Sequence, residues 1–181
     1  MRWESLFDDL EAQMAAAEAA EHAAEVADRV RAELARTSLA DRLRAVVGQP
    51  VRVSVADHGP LTGVCLDVAP EWFVLRTDAG QALVPTAAVG WVDGLTREVA
   101  PPAGQVLRRL GLASALRALA RDRTGLRVVT SAGTVTGTLD RVGADHVDVA
   151  EHPAGEPRRA VAVRGVLSVP FAALRVVHGA R

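Results

Sequence analysis

Val84-Pro85-Thr86-Ala87-Ala88-Val89, followed by Trp91-Val92 and Gly94, has a second version downstream: Val169-Pro170-Phe171-Ala172-Ala173-Leu174, followed by Val176-Val177 and Gly179. A proline at that point removes a ladder donor, so each stretch reads as a strand end, one tight 3₁₀ turn and a short final strand. Reading backwards extends the match. Gly59-Pro60-Leu61-Thr62-Gly63 answers Gly133-Thr134-Val135-Thr136-Gly137, and Val51-Arg52-Val53 answers Leu126-Arg127-Val128. Leu39, Leu43, Arg44 and Val46 answer Leu112, Leu116, Arg117 and Leu119. Four blocks in one order mark an internal duplication, which chance similarity in Ala- and Val-rich sequence does not produce.

Between the blocks lie strand and turn signals. Val51, Val53 and Val55 alternate with Arg52 and Ser54, and Asp57-His58-Gly59-Pro60 turns the chain into Leu61 to Val68. Ala69-Pro70-Glu71 turns it again into Trp72 to Thr77, and Asp78-Ala79-Gly80 is a hairpin signal before Gln81 to Val84. The second copy repeats this from Leu126 to Val177. It carries a longer segment from about Glu151 to Ser168, read as an exposed hairpin around Pro153 to Arg159 with Val161, Val163, Val166 and Val169 in the returning strand.

Each copy is preceded by a short helix. Thr37-Ser38 can cap the first, with Leu39, Leu43 and Val46 on one face and Gly48 at its end. The second runs from Val106 to Arg121 on Leu107, Leu110, Leu116 and Leu119, with a break at Gly111. Residues 3–36 contain no Pro or Gly and are rich in Ala, Glu, Arg and Leu, so they predict one long helix. Trp3, Leu6, Phe7, Leu10 and Met14 form an apolar stripe at its start, which fades into Ala. The stripe packs on the protein's own sheets or a second arm, or docks in another protein's groove. The predicted organisation is therefore an arm over 1–36, a first unit over 37–95, a linker over 96–105 with Pro101-Pro102 and Gly104, and a second unit over 106–181.

Helix, five short strands and a single 3₁₀ turn before the last strand is similar to the Sm-like class of SH3-type small barrels. That resemblance covers residues 39–94 and 112–178. It implies an α+β chain: a long N-terminal helix followed by two tandem Sm-like five-stranded barrels. Gln81 to Val89 resembles the hairpin and turn that carry nucleic-acid contacts in the bacterial Sm-like RNA chaperones. Where those proteins have a Lys-His pair, this chain has Pro85-Thr86 and Pro170-Phe171. Where Sm proteins place an Asn after an Asp in the second turn, it has Glu71-Trp72 and Asp145-His146; Arg164-Gly165 is similar to the Sm Arg-Gly pair but stands too early. The fold transfers by this resemblance better than RNA binding does. The opening Met1 to Glu11 is also similar to a group of actinobacterial proteins that brings no established function.

Composition narrows the chemistry. The 181 residues hold one Cys and no Tyr, and all 21 basic residues are Arg. Cys65 alone excludes an intrachain disulfide or a cysteine-built zinc site within one chain. No signal peptide opens the sequence and no run is long enough to span a bilayer, so the expected setting is cytoplasmic, without membrane contact. Residues 1–36 carry nine acids and four Arg, whereas residues 98–181 carry seven acids and twelve Arg. An acidic arm and a basic second half can attract each other or face partners of opposite charge.

There is no Gly-x-Ser-x-Gly, phosphate loop or dinucleotide fingerprint. The densest polar group, Asp145-His146-Val147-Asp148 with Glu151-His152, could serve a metal or an acid-base pair, but alternation with Val147 and Val149 is what a half-exposed strand requires in any case. The reading is therefore no enzyme, no cofactor and no resident metal. It favours a scaffold or regulatory interaction protein that uses Trp3, Leu6, Phe7, Leu10 and Met14 for homo-oligomeric or protein contacts. The alternative is an RNA- or DNA-binding regulator using Arg117, Arg121, Arg123, Arg127, Arg158 and Arg159. Aromatic stacking partners for single strands are scarce, Trp72, Trp91 and Phe171 among them, and Phe171 is expected to fill core.

Overall fold

The computed structural model describes residues 3–100, 110–153 and 163–179, with side chains of the first helix described from Leu10 onward. Two compact units are present, Met1–Thr37 and Ser38–Arg181. The first is helix α1, Trp3–Arg36, as the unbroken helix-forming composition predicts. In it Leu10, Met14, Val26, Val30 and Leu34 are exposed. A helix turns about 100° per residue, so Leu10 and Met14 lie on one side and Val26, Val30 and Leu34 on the opposite side. The second apolar stripe escapes a reading that stops where the first fades into alanine.

The second unit opens with α2, Leu39–Ala45, started by a capping box: the Asp41 amide donates to Ser38 Oγ, and the Ser38 amide donates to the Asp41 carboxylate. Strands β1 (Pro50–Val55), β2 (Gly59–Val68), β3 (Trp72–Thr77) and β4 (Gly80–Pro85) follow, then a 3₁₀ turn at Thr86–Ala88 and β5 (Val89–Asp93). After α3 (Leu112–Asp122) the order recurs as β6 (Leu126–Thr130), β7 (Gly133–Val142), β8 (His146–Glu151), β9 (Gly165–Pro170), a 3₁₀ turn at Phe171–Ala173 and β10 (Leu174–Gly179). The expected 3₁₀ turn after each proline is present. Helix α3 starts after Gly111, where the sequence places a break, and β9 begins later than its Val-rich sequence suggests. Val163 precedes it, and the expected hairpin tip around Arg158-Arg159 lies outside the described residues.

Two glycines explain why the long middle strands can bend in both copies. A Cβ at Gly63 would overlap the Arg76 carbonyl, and one at Gly137 would overlap the Ala150 carbonyl, so only glycine lets neighbouring strands approach there. Each middle strand then slips register against the next, between Cys65 and Asp67 in one copy and between Leu139 and Arg141 in the other. The duplicated glycine blocks in the sequence are these bends.

All pairings are antiparallel, and the strands form one ten-stranded sheet in the order β5-β1-β2-β3-β4-β10-β6-β7-β8-β9. The sequence predicts two five-stranded barrels; the strands instead form one sheet that runs through both repeats and is not closed, because the outer edge of β4 is taken by β10 through Leu83↔Val177 and Ala82↔His178. Among the described residues it is open, with β5 and β9 as its end strands. Two cores result. Leu43, Val46, Val53, Cys65, Phe73, Leu75 and Val84 centre the first; Leu116, Val128, Leu139, Val147, Val149 and Leu174 centre the second. Each borrows from the other repeat: Val129 and Val176 complete the first, and Ala69, Trp72 and Leu83 complete the second.

Candidate functional site

The contact between the repeats is the most elaborated polar and apolar feature of the sheet unit. Short strand pairing alone would leave it weak, and side chains from both repeats reinforce it. Glu71, in the β2–β3 turn, accepts a 2.7 Å hydrogen bond from the Leu112 amide at the start of α3. Gly111 supplies no capping side chain of its own, so the first repeat caps the second repeat's helix. Beside it, Trp72 Nε1 donates to the Leu110 carbonyl at 2.9 Å. Arg175 Nε donates to Asp57 Oδ2 at 2.9 Å across the same boundary.

His58 and His178 meet Nε2 to Nε2 at 3.4 Å, and both Nδ1 atoms are buried without hydrogen-bond partners. Burial, with Arg127 and His58 nearby, pushes His178 down from its usual 6.5 to about 4, so His178 is neutral at physiological pH. One imidazole then donates to the other. Nothing in the sequence joined these two histidines, because they stand in different parts of their repeats.

Leu10 and Met14 are exposed on α1, and the side chains of Trp3, Leu6 and Phe7 lie outside the described residues. Arg117, Arg121, Arg123 and Arg127 are all exposed, on α3, its C-terminal cap and β6. Arg117 reaches the Gly143 carbonyl at 3.4 Å. Arg158 and Arg159 are outside the described residues.

The polar group of the second repeat is divided among separate partners. Asp145 Oδ1 is 2.9 Å from His146 Nδ1, and this contact holds the Asp145 carboxyl below its ordinary value. Ser168 donates to Asp148 at 2.6 Å. His152 is buried, with Nε2 2.7 Å from Thr138 Oγ1 and Nδ1 3.0 Å from the Pro153 carbonyl. A carbonyl only accepts, so Nδ1 donates to the Pro153 carbonyl. Among the described residues no group of three or more His, Cys, Asp or Glu side chains is placed to hold a metal ion. Cys65 is fully buried, and burial with Asp67 nearby raises its thiol to about 11, which leaves it protonated and unreactive. No described helix is long and apolar enough to cross a membrane.

Phe171, expected in the core, is half-buried against the second core, while Phe73, not singled out from the sequence, is the largest fully buried side chain among the described residues. A scan against known protein families finds no match, and a search of the curated proteins finds none either.

Proposed function

We propose that the protein is a non-enzymatic interaction scaffold in which the helical arm captures a protein partner and two tandem Sm-like units provide the body. The observation that carries this reading is the arm: a 34-residue helix forming its own compact unit, with large apolar side chains exposed on two opposite sides. Exposed Leu and Met side chains spaced one turn apart are anchors of the kind a groove or a second helix accepts. The Sm-like reading draws support from the repeated order of helix, four strands, 3₁₀ turn and fifth strand. The setting that fits it is the cytoplasm.

Replacing Leu10 and Met14 together with Glu tests the arm without touching a core, since both side chains are exposed. The expected outcome is at least about tenfold weaker association with the arm's partner, whether a second arm or another protein, because anchors dominate such contacts. Thermal unfolding of the sheet unit should be unchanged. The same mass and the same cross-linked partners in wild type and variant would sink the reading.

A second reading, nucleic-acid binding, rests on Arg117, Arg121, Arg123 and Arg127, exposed within one short stretch. Titration with mixed short RNA and DNA at rising salt would promote it if binding were tight and fell steeply with salt.

A further inference from the structure

We infer that α1 pairs antiparallel with the α1 of a second copy of this chain, through the side that carries Val26, Val30 and Leu34 and centred on Ala23. The inference rests on the reading of the arm as an interaction element. It assigns the side opposite Leu10 and Met14, which the pairing leaves open.

The apolar face is wider than its three large side chains. At about 100° per residue, no charged residue between positions 12 and 34 falls within about 60° of the line midway between Val30 and Leu34. The rest of that face is alanine. Ala12, Ala16, Ala19, Ala23, Val26 and Val30 follow the alternating four- and three-residue steps of a coiled-coil seam. Every side chain from Leu10 to Arg36 is exposed. Helices in proteins draw most of their stability from packing such a face, so a 34-residue helix with this one uncovered calls for an occupant.

The sizes of the side chains fit the same face reversed. Val26, Val30 and Leu34 all stand toward the C-terminal end of the face, and the positions toward its N-terminal end are alanines. With Ala23 of both copies at the centre, Leu34 of one copy falls on Ala12 of the other, Val30 on Ala16 and Val26 on Ala20. Each large side chain thus meets a small one along a seam about 33 Å long, and the alanines let the two axes approach closely. A parallel pair would set Leu34 on Leu34 and Ala12 on Ala12, crowded at one end and loose at the other.

Charge selects the same direction. Residues 10–28 hold five acids and no Arg, whereas residues 29–36 hold three Arg and one acid. In the antiparallel register Glu11 of one copy comes beside Arg36 of the other, and Glu18 beside Arg29, each pair occurring twice by symmetry. Arg29 already lies 3.6 Å from Glu25 of its own helix, on the same flank. A parallel pair would instead bring Glu11 beside Glu11 and Glu18 beside Glu18. Exposed pairs of this kind choose direction more than they add affinity. The contact is isologous, so it closes as a dimer, and a single helix pair is a small interface that forms reversibly.

Cysteine pairing in the full-length chain tests both contact and direction. Two variants, Ala12→Cys and Leu34→Cys, are prepared separately and then mixed under mild oxidation; buried Cys65 does not compete. A linked dimer should form in the mixture and fall at least about tenfold in each variant alone, because antiparallel pairing holds like positions about 33 Å apart at its ends. Sedimentation of the wild-type chain should show a monomer-dimer equilibrium. Val26→Glu with Val30→Glu should raise its dissociation constant at least about tenfold, and Glu favours the helix, so the arm itself is kept. Leu10→Glu with Met14→Glu should leave the dimer intact; loss of a different protein partner in that variant alone would bear on the proposed function and not on this pairing. Equal linking in a single-variant pool, no linking in the mixture, or a dimer indifferent to Glu at positions 26 and 30 would overturn the inference. So would a wild-type chain that sediments as a monomer at every concentration.

Discussion

His178 shows how one side chain ties stability to pH. It is buried in the seam beside Arg127, with His58 in contact and Arg175 and Asp57 paired nearby, and its folded value lies near 4 against 6.5 for the free side chain. Between those values the unfolded chain binds the proton and the folded chain does not. The seam's stability is therefore complete above about 6.5 and lost progressively as pH falls toward about 4. Denaturant titrations at a series of pH values should show this loss, and His178→Gln should flatten that part of the profile. An unchanged slope in the variant would assign the dependence to other groups. The sequence hid this role: His178 follows Val177 in a strand run, and its partner is His58, 120 positions away.

At the scale of elements, α2 and α3 occupy corresponding places yet are capped differently. Helix α2 caps itself through Ser38 and Asp41, while α3 relies on Glu71 from the other repeat. Glu71→Ala should cost about 0.5–2 kcal/mol, the usual range for a lost cap. It should also raise amide exchange at the start of α3, while α2 stays protected. Hydrogen exchange measured residue by residue distinguishes this from a general loss of stability. Strands, turns and the cap of α2 were legible because each is written locally, in alternation, in Asp-Ala-Gly and in Thr37-Ser38, although the answering Asp41 carboxylate was not read. The Glu71 cap was not, because Gly111 advertises a break and says nothing of the carboxylate that arrives from a distant turn. The second apolar side of α1 was missed for a different reason: Val26, Val30 and Leu34 are spread over three turns among alanines, so no short window shows them.

For the molecule as a whole, the duplication was readable and the joining of its halves was not. Pro85 and Pro170 end their strands alike, but among the described residues β4 has a second neighbour, β10, and β9 pairs with β8 alone. At matched places Ala82 and Val176 are buried, whereas Leu167 and Trp91 are exposed. Core sharing follows from the meeting of β4 and β10: Trp72 and Leu83 serve the second core, Val129 and Val176 the first, so neither repeat buries its apolar face alone. The seam itself is therefore what to measure first. Leu83→Cys with Val177→Cys in the full chain places two thiols on directly paired residues. A disulfide should form within each chain, even at high dilution, and leave the fold intact. Thiols that stay free under oxidation, or that link only between chains, would contradict it.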